Sequence, residues 1–233
     1  MTPAGKLTTL HSFDSTDGFY PYAGLVLATN GDFYGTTANG GAHSYGTVFR
    51  ITTEGTLTTL HSFDGTDGSE VNAGPVQATN GNLYGATYGG GAHSDGTVFE
   101  ITPAGTLTTL LSFDYTDGSE VTGGLVQATN GTFYGTTYGG GTDGYGTVFS
   151  LSVGLGPFVE TLPTSGKAGA AVTVLGSNLT GATKVTFNGT AATFKVVSST
   201  EITTTVPTGA TTGPVEVVIP GGTLTSNVNF QVP

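Results

Sequence analysis

The sequence predicts an all-β protein in which a repeated unit precedes a separate C-terminal module. The unit begins with LTTLHSFD at Leu7–Asp14, which returns at Leu57–Asp64 and, as LTTLLSFD, at Leu107–Asp114. Three copies spaced by 50 residues therefore cover about two-thirds of the 233 residues. Glycine is abundant, with 40 residues, and no long stretch has apolar residues at the helical period of about 3.6. A fixed period of this length is typical of stacked or circular repeat arrays.

Each unit contains four short runs in which apolar and polar residues alternate, and such runs predict β-strands. In the second unit the predicted strands are Leu57–Phe63, Gly74–Thr79, Asn82–Thr87 and Gly96–Ile101. An Asn-Gly pair separates two of these strands in every copy, at Asn30-Gly31, Asn80-Gly81 and Asn130-Gly131. Because Asn and Gly tolerate positive φ, each pair predicts a hairpin with a type I′ turn. Four antiparallel strands in about 50 residues is the size of a propeller blade, so we predict three four-stranded, propeller-type blades.

The phase of the unit predicts how the blades join. If LTTLHSF is the outer strand of a blade, each later copy pairs with the GTVF strand that ends the preceding unit. Leu7–Phe13 would then have no partner before it, and Gly146–Ser152 would have none after it. Propellers typically have about four to eight blades, so we predict either a head-to-tail homodimer that completes a six-bladed ring or a fragment of a longer array. An open arc is disfavoured because free strand edges invite aggregation.

The pattern changes after a short predicted linker, SVGLG at Ser152–Gly156. We therefore predict two domains, the repeats at 1–153 and a second domain at 157–233. Strands of the second domain are predicted at Ala171–Leu175, Lys184–Phe187, Glu201–Val206, Val215–Ile219 and Val228–Val232. Short strands separated by turns rich in Gly and Pro suit a small β-sandwich.

Charge and composition exclude several classes of partner. The formal net charge is −11, and thirteen acidic residues against only Lys6 and Arg50 precede Pro157. An acidic array repels phosphate backbones, so no nucleic acid partner is expected. No stretch approaches about 20 apolar residues, so no membrane span is predicted. Met1 leads directly into the first unit, so we expect no secretory signal in this chain.

The C-terminal region resembles the IPT/TIG domain, an immunoglobulin-like module. The resemblance rests on PTSGKAGAAVTVLGSNL at Pro163–Leu179, VTFNGTAATF at Val185–Phe194, EITTTVP at Glu201–Pro207 and PGG at Pro220–Gly222. It implies an Ig-like β-sandwich. In some transcription factors such modules contact DNA through basic loops, but this region has only three dispersed lysines, so that role is not carried over.

The repeats resemble the GloVer tandem repeat of bacterial secreted and surface-anchored proteins. The resemblance rests on GLVQATNGTFYGTTYGGG at Gly124–Gly141 and GTVFEITPAGTLTTLLSF at Gly96–Phe113. It implies an extracellular or cell-surface, propeller-type array with a sorting anchor near the C-terminus and no assigned activity. The few copies and the lack of a visible anchor lead us to expect an incomplete chain.

The most conspicuous polar motif is D-x-T-D-G, which places aspartates at Asp14, Asp17, Asp64, Asp67, Asp114 and Asp117. Clustered carboxylate and hydroxyl oxygens suit Ca²⁺, so these residues are candidate ligands of structural calcium. The same motif is typical of a turn whose Asp side chains accept hydrogen bonds from backbone N–H groups. The turn is the favoured interpretation because it is far commoner, and no other cofactor is predicted.

Aromatic residues recur beside the glycine-rich loops, at Tyr34, Tyr84, Tyr134, Tyr88 and Tyr138. Such rings most often pack in cores, here between blades. The alternative is a sugar-binding surface, which repetition favours because equal sites give avidity. His11 and His61 match in phase, but Leu111 replaces them in the third copy and no positioned partner is evident.

These observations favour a non-enzymatic protein for adhesion or recognition, with a glycan or a surface protein as partner. The repeats would present binding loops, and the IPT/TIG module would be a spacer or second contact. One alternative is a lectin-like ring that binds carbohydrate. Another is a lyase or hydrolase with its site in a central channel. The enzyme is disfavoured because the carboxylates form no isolated asymmetric pair.

Overall fold

The computed structural model describes residues 5–233, and these contain strands, bridges and turns but no helix. The predicted all-β class is therefore confirmed. The chain forms two compact units, one that runs to Val126 and resumes at Tyr134–Ser150, and one made of Gln127–Phe133 and Leu151–Pro233. Among the described residues, no helix has the length and apolar character needed to cross a bilayer.

The repeats form three antiparallel sheets. The first has the order β1 (Val26–Leu27), β2 (Phe33–Thr37), β3 (Thr47–Ile51), β4 (Leu57–Ser62). The second has the order β5 (Val76–Gln77), β6 (Leu83–Ala86), β7 (Thr97–Ile101), β8 (Leu107–Ser112). The third contains β9 (Val126–Gln127), β10 (Phe133–Thr136) and β11 (Val148–Leu151), with β10 in the middle.

Each complete sheet takes its last strand from the following unit. Strand β4 begins the second unit yet pairs with β3, with Leu57 opposite Ile51. Strand β8 pairs with β7 in the same register, with Leu107 opposite Ile101. The predicted pairing between successive units is thus confirmed for both junctions.

The prediction of three four-stranded sheets is wrong for the third repeat, whose described sheet has three strands. Its edge strand β11 pairs only with β10, because the described chain offers no further LTTL segment to add. At the other end, Leu7–Phe13 contains no strand, since no described GTVF segment precedes it. The sheets are therefore offset by one strand from the sequence unit.

The Asn-Gly hairpins differ from the predicted type I′ turn. In the first repeat the amide of Gly31 donates to the carbonyl oxygen of Ala28, 3.0 Å away, and Ala28 in turn donates to Asp32. The turn is therefore longer than a two-residue hairpin loop, with positive φ (86°) at its glycine. This arrangement is typical of a three-residue hairpin that ends in a left-handed Gly. The second and third copies repeat these bonds.

A glycine in the middle of each FYG or LYG strand makes room for an aromatic ring. Gly35 lies opposite Phe49, and Gly85 lies opposite Phe99. A Cβ atom added at either glycine would come within 2.5 Å of the ring of its cross-strand phenylalanine. The ring therefore lies flat over the glycine, and the repeat requires both residues together.

The core of the repeats lies between successive copies. One buried cluster joins side chains of the first repeat with side chains of the second: Ala28, Tyr34 and Val48 with Phe63, Val71, Leu83, Phe99 and Ile101. Neither copy alone supplies this cluster, so each repeat depends on its neighbour for burial. We call this packing the seam.

The C-terminal unit has two four-stranded antiparallel sheets. One contains β12 (Glu160–Leu162), β13 (Ala171–Leu175), β17 (Glu201–Thr205) and β16 (Phe194–Ser198), in that order. The other contains β15 (Thr190–Ala192), β14 (Lys184–Phe187), β18 (Val215–Ile219) and β19 (Gly222–Thr225), in that order. Four predicted strands are present, but Val228–Val232 makes only isolated bridges.

Both C-terminal sheets contribute to one hydrophobic core. Val172, Val174 and Ile202 enter it from the first sheet, and Val185 and Val217 enter it from the second. On β13, β17 and β18 these side chains alternate with exposed or half-buried residues, whereas β14 is buried from Val185 to Phe187. The period of two explains why this part of the sequence was readable as strands.

Candidate functional site

The D-x-T-D-G motif forms a turn stabilised by its own aspartates. In the second repeat, Asp64 Oδ1 accepts hydrogen bonds from the amide (2.8 Å) and the hydroxyl (2.7 Å) of Thr66. Asp67 Oδ1 accepts from the amide of Asp64 at 3.0 Å. Equivalent bonds hold Asp14 with Asp17 and Asp114 with Asp117. The carboxylates therefore fix the backbone of all three turns.

These hydrogen bonds lower the pKa of the first aspartate of each turn. For Asp64 the main cause is the hydroxyl of Thr66, followed by the amide of Thr66, because both stabilise the anion. Asp14 and Asp114 have their pKa lowered from 3.8 with the same leading cause, Thr16 and Thr116. These three carboxyl groups are held in the ionised form.

We expect Thr66→Val to raise the pKa of Asp64 towards its ordinary value of 3.8. A lowered folded-state pKa adds stability above pH 3.8 that is lost as the pH falls through the folded-state value. The variant should therefore depend less on pH in the acid range. Carboxyl ¹³C NMR titration measures this, with Asp14 and Asp114 as unchanged internal controls. An unaltered Asp64 titration would contradict the assignment.

The structure supplies the histidine partner that sequence reasoning missed. His61 Nε2 lies 2.6 Å from Asp67 Oδ2, and His11 Nε2 lies 2.7 Å from Asp17 Oδ2. Each histidine comes six residues before the aspartate that it contacts. Leu111 occupies the histidine position in the third repeat. In the part of the chain that the structure describes, no three His, Cys, Asp or Glu residues are grouped to hold a metal ion. Calcium binding by the six aspartates stays a prediction.

The D-x-T-D-G turn joins the glycine-rich loop of its own repeat. The amides of Gly41, Gly91 and Gly141 donate to the carbonyl oxygens of Ser15, Gly65 and Tyr115, at 3.1, 2.9 and 2.7 Å. We call the two joined segments the loop pair, comprising 14–20 with 38–46, 64–70 with 88–96, and 114–120 with 138–146. The backbone hydrogen bond that joins the two segments therefore recurs in all three repeats.

At one equivalent position in every loop pair, a non-glycine residue has the left-handed conformation that favours glycine. Tyr20, Glu70 and Glu120 have φ of 59°, 56° and 59°. This conformation costs a non-glycine residue about 1–2 kcal/mol. The amide of Glu70 donates to Tyr45 O, and that of Glu120 donates to Asp95 O. The strained residue therefore links its loop pair to the preceding one.

The predicted tyrosine surface is only partly exposed. Tyr34 and Tyr84 are buried, and the amides of Asn30 and Asn80 donate to their hydroxyl groups. Their ring faces are therefore closed to a ligand, and Tyr34 belongs to the seam. Burial, followed by the hydrogen bond to Glu100, raises the pKa of Tyr84 to about 12.

The other predicted tyrosines are less buried. Tyr134 and Tyr138 are exposed, and Tyr88 is half-buried. The hydroxyl of Tyr88 bonds to the carboxylate of Glu120, and this bond is the main cause that raises the tyrosine pKa. A sugar-binding role of these tyrosines stays a prediction.

The loop pair of the third repeat contains a cavity of about 450 Å³. Its lining residues are Tyr115, Ser119, Glu120, Tyr138, Gly139, Gly144 and Tyr145. The three tyrosines are all exposed to solvent. Of these residues only Tyr138 was a sequence candidate, because neither Tyr115 nor Tyr145 occupies a position that is tyrosine in all three copies.

The repeats identify the family to which the chain belongs. A family model described as the Gloeobacter/Verrucomicrobia repeat matches residues 1–202. The chain belongs to this repeat family. The resemblance of the repeats is thereby confirmed, while the IPT/TIG resemblance of the C-terminal region stays a prediction. No protein of curated function matches this member of the Gloeobacter/Verrucomicrobia repeat family.

Several solved structures show a weak likeness to this Gloeobacter/Verrucomicrobia repeat protein. Virginiamycin B lyase from Staphylococcus aureus is 14% identical, with 94% of this chain and 71% of that chain covered and a TM-score of 0.36. A streptogramin B lyase is 12% identical, with 96% and 72% covered and a TM-score of 0.38. A protein described as a gluconolactonase is 15% identical, with 89% and 75% covered and a TM-score of 0.37. These scores are too low to carry an argument about fold or chemistry.

Proposed function

We propose that this chain is a non-enzymatic recognition protein that acts in adhesion outside the cell and binds its partner through the loop pairs. One observation carries the proposal: the backbone hydrogen bonds that join the two segments of a loop pair recur in all three repeats, whereas the side chains vary. Three sets of equivalent positions illustrate this variation. They are Ser15, Gly65 and Tyr115; Tyr45, Asp95 and Tyr145; and Tyr20, Glu70 and Glu120. Constant support with variable side chains is the organisation expected of a binding surface.

The hydrogen bonds within each loop pair support this role physically. Both aspartates of the turn and the glycine-rich loop are fixed before any ligand arrives. A preorganised loop loses little conformational entropy on binding, which improves affinity. The Tyr, Ser, Gly and Asn content is also what binding loops of antibodies use for rigid contact and adaptable hydrogen bonding.

Carbohydrate is the ligand class that the third loop pair favours. Its cavity combines the rings of Tyr115, Tyr138 and Tyr145 with the polar groups of Ser119 and Glu120. Aromatic faces provide apolar area beside a polar hydroxyl, which suits the apolar face of a sugar ring. Ser119 and Glu120 would bond its hydroxyl groups. A surface protein is the other partner class, and the binding test below separates the two.

The first aspartate of each turn does not suit the general acid that the lyase or hydrolase alternative needs. A general acid works best with its pKa near the operating pH, which for a carboxyl group requires a raised pKa. The pKa values of Asp14, Asp64 and Asp114 are instead lowered by hydrogen bonds. Binding without chemistry is therefore the better use of these turns.

We also propose a fold type for each of the two units. Each repeat sheet would be one blade of a propeller-type array, a view supported by the strand that each sheet takes from the next unit. The C-terminal unit would be an Ig-like IPT/TIG module, a view supported by two four-stranded sheets around one core. This module would be a spacer or second contact rather than a DNA reader, because its three lysines are dispersed.

A glycan array probed with the purified chain tests the proposal. We expect binding to a subset of glycans, reduced at least about tenfold by Tyr115→Ala and by Tyr138→Ala. Both side chains are exposed, so the thermal midpoint should change little. Tyr22→Ala, another exposed tyrosine outside the cavity, is the matched control and should bind normally.

Three outcomes would overturn parts of the proposal. If no glycan binds, carbohydrate is the wrong ligand class and a protein partner is favoured. If the cavity variants bind as well as the unaltered chain, the third loop pair is not the site. If bound oligosaccharides are cleaved during incubation, the non-enzymatic assignment is wrong.

A further inference from the structure

The third repeat exposes one half of a seam. In the seam between the first two repeats, Tyr34 and Val48 are buried, both at 0% exposure, against side chains of the second repeat. The equivalent residues of the third repeat are Tyr134, at 40% exposure, and Val148, at 80%. Val148 lies on β11, the edge strand with a single partner. Side chains that are core residues in one copy are therefore surface residues in the last.

The first repeat leaves part of the other half exposed: Leu10 and Leu25 are exposed at 49% and 52%, whereas Phe49 and Ile51 are buried. An apolar groove of about 450 Å³ is lined by Leu10, Phe13, Leu25, Phe49 and Ile51, among other residues. Its counterparts in the second repeat include Phe63, Phe99 and Ile101, all at 0% exposure inside the seam. They share this buried cluster with Tyr34 and Val48 of the preceding repeat.

The backbone hydrogen bonds between repeats also have two sides, with donors in one repeat and acceptors in the preceding one. Across the first junction, the amide of Phe63 donates to Gly46 O at 3.0 Å and that of Glu70 donates to Tyr45 O at 2.9 Å. The second junction repeats both bonds with Phe113 and Glu120 as donors. The equivalent donors of the first repeat are the amides of Phe13 and Tyr20, and the equivalent acceptors of the third are Gly146 O and Tyr145 O.

The first repeat has the same backbone conformation and ring packing that accompany these bonds in the other two repeats. Tyr20 has φ of 59°, as Glu70 and Glu120 do, although the described residues before it include no GTVF segment of the kind that supplies the acceptor elsewhere. The ring of Phe13 packs edge-on against Phe49 at 5.1 Å, as Phe63 packs against Phe99 at 5.3 Å. The backbone strain and the ring packing both persist without the partner that uses them elsewhere.

We propose that the face of the third repeat formed by Tyr134, Tyr145 and Val148 binds the groove and the Leu7–Phe13 segment of a second copy of this chain. The internal seam identifies the occupant, since the same side chains and donors already associate twice within the chain. Leu7–Phe13 adds to β11 as a strand, and Phe13 N and Tyr20 N donate to Gly146 O and Tyr145 O. The contact is head to tail, so two copies present two such seams and six repeats in all, within the usual range of about four to eight for a closed array.

Solution mass of the full chain by light scattering tests the proposal. We expect twice the chain mass of 23.3 kDa. Val148→Asp and Leu10→Asp each place a carboxylate in the apolar contact and should each weaken self-association at least about tenfold. Both residues are exposed, so the fold should persist, as far-UV circular dichroism and melting will show. Val197→Asp, an exposed valine on β16, is the matched control and should stay dimeric.

Mixing the two variants distinguishes a head-to-tail contact from a symmetric one. Val148→Asp keeps an intact groove and Leu10→Asp keeps an intact third-repeat face, so the mixture should form heterodimers through one unaltered seam. A monomeric unaltered chain at all accessible concentrations would overturn the proposal. A dimer that is weakened by only one of the two variants would also overturn the proposal, because a symmetric contact is made by the same face of both copies. Tyr145 belongs both to this face and to the tyrosine cavity, but Val148 and Leu10 do not line the cavity, so the two variants test self-association without changing the cavity's side chains.

Discussion

Phe99→Ala is expected to lower the free energy of unfolding of the repeats by about 3–5 kcal/mol. The ring is fully buried in the seam and lies over Gly85, opposite it on the neighbouring strand. Its removal leaves a cavity that the glycine cannot fill, since glycine has no side chain to repack. All ten tyrosines precede residue 151, so denaturation followed by tyrosine fluorescence reports on the repeats and not on the C-terminal unit.

Phe99→Leu is the control for this prediction. Leucine keeps most of the apolar volume, so we expect a loss of about 1–1.5 kcal/mol with an unchanged denaturant slope. A loss below about 1 kcal/mol for the alanine variant, outside the usual range for a buried aromatic, would show that the seam is not the main source of stability.

Gly68→Ala is expected to lower the same free energy by about 3 kcal/mol, for two reasons that add. The φ of Gly68 is 139°, a conformation that side chains rarely adopt. An added Cβ would also lie 2.9 Å from the hydroxyl oxygens of Thr87 and Thr97, which are buried and 3.1 Å from each other. The substitution therefore strains the backbone and disrupts a buried hydrogen bond.

Gly81→Ala provides the comparison that separates strain from crowding. Gly81 also has positive φ, at 84°, but an added Cβ would meet no atom within 4 Å. We expect a loss of about 1 kcal/mol, the cost of the backbone conformation alone. If the two variants lose equal stability, the contact with the threonine pair contributes nothing.

Much of the repeat fold was predictable because the period is so regular. The strand at Leu57–Ser62 and its pairing with the preceding GTVF strand followed from phase alone. The strand at Gly222–Thr225 was missed because it begins in a Pro-Gly-Gly turn. The Asn-Gly turn was misassigned because the dipeptide does not reveal that Ala28 closes the turn. Local composition shows that a turn exists, whereas its length depends on backbone bonds.

The candidate site was less predictable than the fold. The aspartates of the turns were identified from the motif, but the pairing of His61 with Asp67 depends on how a strand leads into a turn. Tyr34 and Tyr134 have the same local sequence, yet one is buried and the other exposed. Their difference arises from the presence of a following repeat, which no residue near either tyrosine encodes.

The offset of one strand between each sheet and the sequence unit also affects how the number of repeats in the gene can change. Because each four-stranded repeat sheet takes its last strand from the following copy, a stretch of 50 residues inserted at any phase of the array meets equivalent partners on both sides. Recombination breakpoints need not fall between structural elements. Repeat number can therefore change in a single genetic event, while every internal junction keeps the same hydrogen bonds and the same buried rings.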